Sequence, residues 1–328
     1  MEPRCRRVQL SRSLSYLSCL EASAFNNSTY FRPALYISIY TYIFRMGEIT
    51  ESEQLVLVKF KENLSDLDLV NNNFLSDIQL IRWLRARDLD VKRAEHMLRN
   101  TLAWREKNDI KNCLNQTIPE SVRAEFPVET VGYDREGNLL VYIPFGKMDM
   151  KKGLREVGKE GSNNMRNYYL ETIFGAILNK NPKNKMQRAS LIVDFKGLTY
   201  MQFASLEVFE YLMTSIQIFE QHYPELLSTG FAINTPSVWN MLWTMLKPML
   251  HQKTQDKVVI TGSDPQVITE VLEKYISKDQ FPEKYGGYVK LQYPEPVTIN
   301  KDDNQNDQPT LPPPSKSFFK SIIGNFKS

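Results

Sequence analysis

The sequence predicts an α/β protein in which a sheet-and-helix domain follows a small helical unit. Two observations carry this. Between residues 128 and 290, short apolar runs of strand length alternate with longer amphipathic stretches, the pattern of an α/β domain. Upstream, three capped amphipathic segments with short connections fill residues 50–110, the pattern of a helical unit. The expected division is an N-terminal extension over residues 1–49, a helical domain over 50–118 and the α/β domain over 119–290. A flexible proline-rich linker over 291–314 and a tail over 315–328 follow.

Each element has a local reason. Thr50 and Glu53 form a capping box that opens a helix to about Leu64. Ser76 and Gln79 form a second, and Ile78, Ile81 and Leu84 with Leu80 and Trp83 follow it to Arg87. Asp90 caps a third, with Val91, Ala94, Leu98 and Leu102 on one face. Val131 to Asn138 carries turn chemistry, and Leu139 to Ile143 reads as the second strand of a hairpin. Residues 163–180 are helical in period, and Pro182 follows them. Ser190 to Asp194 is a buried strand, residues 203–222 a helix closed by Pro224, and Gly230 to Ile233 a strand. Thr235-Pro236 and Asp264-Pro265 start helices, with a strand over Val258 to Thr261 between them.

Composition narrows the function classes. Lys+Arg 41 against Asp+Glu 38 is too even for a concentrated nucleic-acid-binding face. Cys5, Cys19 and Cys113 make neither a disulfide framework nor a zinc spacing, and a reducing cytosol is expected. No apolar run reaches the ~18–20 residues of a membrane-spanning helix. His96, His222 and His251 lack metal spacing, and neither a phosphate-cradling glycine loop nor a Gly-x-Ser-x-Gly elbow is present. A non-enzymatic role is expected, without metal or cofactor. Residues 1–45 are rich in arginine and serine and read as a disordered extension; Met46 is the favoured functional start, just before the first capping box.

One stretch suggests a greasy ligand. Residues 236–250 place Val238, Trp239, Met241, Leu242, Trp243, Met245, Leu246, Met249 and Leu250 around most of a helix. Such a helix is either a central core element or a lid with one face to a ligand and the other to a bilayer. Lys247-Pro248 would end or hinge it.

Four further stretches resemble a known family as a set: Ile81-Arg-Trp-Leu-Arg-Ala-Arg87; Leu191-Ile-Val-Asp-Phe-Lys-Gly197; Tyr223-Pro-Glu225 with Asn234-Thr-Pro236; and Phe281-Pro-Glu-Lys-Tyr-Gly-Gly287. Their order and spacing are similar to those of the CRAL-TRIO lipid-transfer family over about residues 50–290. The phosphatidylinositol-transfer type is favoured, near the animal supernatant-protein-factor branch but without a counterpart of its C-terminal β-sandwich domain. The resemblance implies a mixed sheet as the floor of a hydrophobic lipid pocket. It makes helix 236–250 the gate, with Val238, Trp239, Leu242, Met245 and Leu246 on it. A diacyl lipid holds roughly thirty CH₂ groups at about 0.8 kcal/mol each when taken from water, so the pocket must be apolar. Phe174, Ile177, Phe203, Phe209, Met213, Ile216, Phe231 and Ile233 are the expected acyl lining, or else ordinary core.

Residue by residue, the family's inositide headgroup positions fall on Arg87, Glu225, Thr254 and Lys257. Arg87 and Lys257 would neutralise a phosphate; Thr254 would donate a hydroxyl, and Glu225 would accept from ring hydroxyls or hold Lys257 in a structural ion pair. Asp88 and Leu226 depart from the inositide pattern, and Ala189 and Leu191 depart from a choline site. The second ligand is then a hydrophobic molecule such as a tocopherol or isoprenoid. A ligand-free interaction adaptor on the same fold is the competing expectation. The resemblance implies a cytoplasmic monomer that meets membranes transiently.

Phe318, Phe319, Ile322, Ile323 and Phe326 share one face of a tail whose charged side chains are Lys316, Lys320 and Lys327. This is either a membrane-surface helix or a terminus docked on its own domain. Deleting residues 315–328 is expected to lower co-sedimentation with liposomes; unchanged co-sedimentation would assign the tail to docking.

Overall fold

Thr50 and Glu53 cap each other reciprocally, and the first helix, α1 (Glu51–Asn63), starts there. The computed structural model describes residues 49–69, 73–179, 186–203 and 205–291. Most of the N-terminal extension, the linker beyond residue 291 and the tail with Phe318, Phe319, Ile322, Ile323 and Phe326 lie outside the described residues, as does the Phe203 side chain. Helices α2 (Asp77–Ala86) and α3 (Val91–Lys107) follow. Leu57, Phe60, Leu80, Ile81, Leu84 and Leu98 from the three are buried together. The Glu53 carboxylate also takes two hydrogen bonds from Arg85, at 2.6 and 2.9 Å, which ties α1 to α2. The expected box at Ser76 does not form: Ser76 makes no side-chain cap. The Gln79 oxygen accepts from buried Arg82 at 2.7 Å instead.

The α/β part opens with α4 (Glu120–Glu125), which sequence reading did not find, and a hairpin of β1 (Glu129–Tyr133) and β2 (Leu139–Ile143). Asp134 holds the turn by accepting from the Glu136 and Asn138 N–H groups, both at 2.9 Å. The helix expected from residue 163 begins earlier, as α5 (Met150–Asn179), and breaks at Gly158. That residue sits at φ 66 and ψ −173, a conformation only glycine adopts easily. There follow β3 (Ala189–Asp194), the short α6 (Tyr200–Phe203), α7 (Leu206–His222) and β4 (Leu227–Ile233). The last elements are α8 (Trp239–Leu246), α9 (Gln252–Gln255), β5 (Val258–Ile260) and α10 (Pro265–Tyr275). The anticipated helix 236–250 is thus α8 plus a 3₁₀ turn over Lys247–Met249.

The sheet is mixed, in the order β1-β2-β3-β4-β5, antiparallel between β1 and β2 and parallel thereafter. Side chains alternate between its faces. Leu139, Val141, Ala189 and Leu191 meet α5 and α7 residues on one face. Leu140, Ile192, Phe231 and Ile233 meet Ile268 and Leu272 of α10 on the other. The alternation is interrupted on β4: Ala189 pairs with Leu227, but Leu191 pairs with Gly230, so β4 carries one extra residue. This bulge keeps Leu227 on the α5/α7 face and turns Phe231 and Ile233 to the back.

At the carboxyl end of the sheet a buried carboxylate gathers distant segments. Asp194 accepts from Tyr142 at 2.8 Å, Asn234 at 2.8 Å, the Lys196 N–H at 3.0 Å and Lys284 at 3.2 Å, and also from the Tyr285 hydroxyl. Burial pushes the Asp194 carboxyl up. The bonds from Tyr285, the Lys196 N–H and Asn234, with Lys284 beside it, outweigh that and hold it below the ordinary aspartate range. Because the folded state holds this proton less tightly than the unfolded chain, its stabilisation is present above about pH 4 and fades as pH falls through the lowered value. Asp194→Asn is therefore expected to lose about 3 kcal/mol or more at neutral pH. It is also expected to lose less further stability than the parent between about pH 4 and pH 2. Denaturant unfolding at a series of pH values measures both; parallel acid limbs would refute the assignment.

Candidate functional site

The four positions assigned to a headgroup come together. Arg87 ends α2, Glu225 stands in the corner between α7 and β4, Thr254 lies on α9, and Lys257 immediately precedes β5. All four line one polar cleft of about 220 Å³. Arg93, Glu220, His251 and Lys253 line it as well.

Glu225 is fixed by both its backbone and its side chain. Its φ of 54 lies in the left-handed region. Its carbonyl accepts from Arg82 at 2.8 Å. Its carboxylate accepts from Arg188 at 3.1 Å and Lys257 at 3.4 Å. Burial raises the Glu225 carboxyl, but Lys257 and Arg188 together bring it below the ordinary glutamate range. Burial holds the Lys257 ammonium below its usual value, with Glu225 opposing. The ion pair anticipated between these two residues is present, and it leaves Lys257 on the cleft wall.

The rest of the wall is cationic on balance. Asp88, the acidic departure from the inositide pattern, is paired with Lys253 at 2.6 Å, so its charge is met locally. The Arg87 guanidinium donates to the Ala86 carbonyl at 2.8 Å and makes no ion pair among the described residues. Burial and the neighbouring Arg93 keep it below the usual arginine value. Glu220 lines the same cleft, and its Oε1 is buried with no hydrogen-bond partner among the described residues. Arg93 and Glu220 were not anticipated. Glu220 lies on α7 five residues before the recognisable Glu225 and has no turn or motif around it to single it out.

A second cavity of about 230 Å³ adjoins the cleft, and the two share Phe219, Leu226 and Leu227 as lining. It lies on the α5/α7 face of the sheet and is lined mainly by apolar side chains, among them Ile143, Leu170, Ile173, Leu191 and Leu212. Ala189 and Leu191, where a choline site needs hydroxyls, are part of this wall. Leu226 is buried at the boundary between the polar and apolar spaces.

The expected acyl lining requires correction. Of Phe174, Ile177, Phe209, Met213, Ile216, Phe231 and Ile233, none lines this cavity. Phe231 and Ile233 face α10 because of the bulge. On α5 the lining stripe is Arg166, Tyr169, Leu170 and Ile173, one residue out of phase with the expected face. Phe174 and Ile177 pack beside it, Phe174 edge-on to Phe74 and Tyr223. On α7 the lining is Tyr211, Leu212, Ser215 and Phe219, while Phe209 and Met213 are buried elsewhere and Ile216 is half-buried. Rotation by one residue turns a helix about 100°, so this cavity draws on the expected helices α5 and α7 through a different face of each.

The anticipated gate residues also sit outside the cavity lining. Trp239 and Leu242 are buried in a cluster that includes Met148 and Met150, two of the cavity-lining residues; Val238 and Leu246 pack against that cluster. Met245 is half-buried. Trp239 lies 4.4 Å from Phe195 and 5.7 Å from Trp243 between ring centroids.

Comparison with known proteins agrees with this architecture. Residues 125–287 match the CRAL/TRIO domain. A CRAL-TRIO domain-containing protein of Caenorhabditis elegans is 28% identical over 245 residues, covering 74% of this chain and 34% of the relative. Protein real-time of Aedes aegypti is 28% identical over 256 residues, covering 76% of this chain and 38% of the relative. Protein real-time of Drosophila melanogaster is 25% identical over 291 residues, covering 85% and 43%. The chain thus spans well under two thirds of the length of these curated relatives. The crystal structure of Sfh5 superposes with a TM-score of 0.58 at 17% identity, covering 86% of this chain and 99% of that one, a likeness of fold. With the sheet order, the four motif stretches and the domain match in agreement, residues 125–287 are a CRAL-TRIO domain.

Proposed function

We propose that this protein is a non-enzymatic carrier that binds a single membrane lipid, with phosphatidylinositol favoured. One observation carries the reading: the polar cleft of Arg87, Glu225, Thr254 and Lys257 opens beside an apolar cavity with which it shares Phe219, Leu226 and Leu227. An amphiphile needs both environments side by side, because its chain gains about 0.8 kcal/mol for each CH₂ removed from water. Its charged group must stay hydrogen-bonded.

Within the cleft, Arg87 and Lys257 supply charge for a phosphate, and Thr254 supplies a hydroxyl. The unpartnered Glu220 oxygen adds an acceptor suited to ring hydroxyls. The cavity volume bears on both ligand classes. About 150 Å³ accommodates a benzene, so about 230 Å³ accommodates part of an acyl chain or one end of a hydrophobic molecule such as a tocopherol or isoprenoid. A complete diacyl lipid requires the walls to part, and α8, packed in the cluster with Met148 and Met150, is the element suited to move. A cytoplasmic monomer that touches membranes while α8 is displaced completes the proposal.

Purified protein is to be incubated with mixed liposomes, re-isolated, extracted and analysed by mass spectrometry. Recovery of phosphatidylinositol is expected, and its absence would refute the inositide reading. Native mass spectrometry showing no bound lipid of any kind would favour a ligand-free adaptor. Lys257→Ala is expected to reduce inositide transfer at least tenfold while leaving the unfolding transition cooperative, since Arg188 remains to pair with Glu225.

A further inference from the structure

The apolar cavity has a charge in its wall. Arg166 lies on α5 at the head of the stripe formed with Tyr169, Leu170 and Ile173, and only 6% of its surface is exposed. A guanidinium so placed normally faces a carboxylate. Here its terminal nitrogens donate to the Asn163 oxygen at 2.9 Å and the Asn167 oxygen at 3.4 Å. Its Nε–H is buried and meets no acceptor among the described residues. The carboxylate one and a half turns along α5, Glu171, is committed elsewhere: Arg105 takes both its oxygens, at 2.7 and 2.9 Å, and Tyr223 donates to one at 2.7 Å. Burial holds Arg166 below the usual arginine value, and the other groups that act on it are the Tyr211 and Tyr223 hydroxyls.

A buried cation without a counterion and with an unused donor destabilises the folded chain. The arrangement makes sense when the ligand brings the missing acceptor. We infer that the apolar cavity binds a lipophile bearing one carboxylate, with Arg166 as the group that receives it. The rest of the lining fits the remainder of such a molecule, because it is mainly aliphatic and aromatic. Charge selects among anions. One guanidinium matches one negative charge, whereas a phosphate monoester would bring an excess charge into an apolar space. A phosphodiester carries a substituent on each side and needs room beyond the charge, while a carboxylate terminates its chain. Volume selects the size: about 230 Å³, at roughly 30 Å³ for each water-sized group, takes a chain of about eight heavy atoms.

The inference rests on the reading of this cavity as a lipophile site, and it is independent of the inositide assignment in the cleft. Radiolabelled hexanoate and 1-hexanol, equal in chain length and different in charge, are to be measured by equilibrium binding to the purified full chain at neutral pH. The acid is expected to bind about tenfold or more tightly than the alcohol, the contribution of a charge-assisted hydrogen bond. In Arg166→Met, which keeps the apolar stem and removes the charge, hexanoate is expected to weaken by about tenfold and hexanol to change little. Equal binding of the two probes to the parent protein leaves the lipophile cavity standing and overturns the carboxylate inference, whether or not the variant folds. Unchanged hexanoate binding by a cooperatively folding Arg166→Met overturns it as well. Failure of both probes to bind the parent removes the cavity reading, and the inference falls with it.

Discussion

The buried guanidinium of Arg82 is the constraint on which the polar cleft depends. Its acceptors are the Gln79 side chain, the Glu225 carbonyl and the Gln187 carbonyl. Two of these are backbone groups from separate segments, so α2 has to lie against both the α7–β4 corner and the segment leading into β3. Burial beside Arg188 pushes Arg82 down to about 9, with Glu225 opposing, and the group stays charged at neutral pH. Because Glu225 offers its carbonyl to Arg82, its backbone is held in the left-handed region. Its carboxylate is left for Arg188 and Lys257. The fold of the helical unit thereby sets the position of a cationic wall contributed by α9 and the start of β5.

The stretches that make the family recognisable are mostly parts of two such polar knots. Asp194, Asn234 and Tyr285 come from three separate motifs and meet at one buried carboxylate. Arg82 comes from the remaining one and meets Glu225, from the same stretch as Asn234, at the second knot. A buried polar group must find its partners, and this requirement fixes residue type at both ends of each contact. That is why fold class, element order and the four cleft positions were legible in the sequence. Local capping was legible for the same reason at Thr50, Asp90 and Asp264, where the side-chain oxygen does accept from the first turn. It failed at Ser76, where the Gln79 side chain instead accepts from the buried Arg82, three residues further along the same helix.

The apolar lining was not legible, and the reasons are geometric. The bulge on β4 is marked in the run Leu227-Ser-Thr-Gly-Phe-Ala-Ile233 only by the weak signal of Gly230 inside a strand, yet it decides which face Phe231 and Ile233 occupy. Helix α5 is apolar over more than one stripe, so periodicity leaves its rotation open by one residue. What distinguishes the true stripe is Arg166, a charge at a position that apolar patterning alone would assign to solvent. The helical stretch from Met150 to the break at Gly158 was not legible either, since a glycine in a polar run reads as the end of a helix.

The size of the cavity also bears on how a larger ligand enters. Moving α8 outward exposes Trp239 and Leu242, each worth about 1.5–3 kcal/mol when buried, so opening in water costs roughly 3–6 kcal/mol before any partner surface is counted. Against a bilayer the same side chains stay in contact with apolar material, and the tryptophan N–H has polar headgroups within reach. The 3₁₀ turn over Lys247–Met249, with Pro248 inside it, separates α8 from α9. The side chain of Gln255 on α9 donates to the Lys247 carbonyl in that turn and the Leu250 carbonyl just after it, at 3.1 and 2.9 Å, so a movement of α8 as the proposed lid would hinge at the turn, next to the element that carries Thr254. On the proposed function, the membrane removes the main penalty for opening, and exchange takes place there because in water the closed form is favoured.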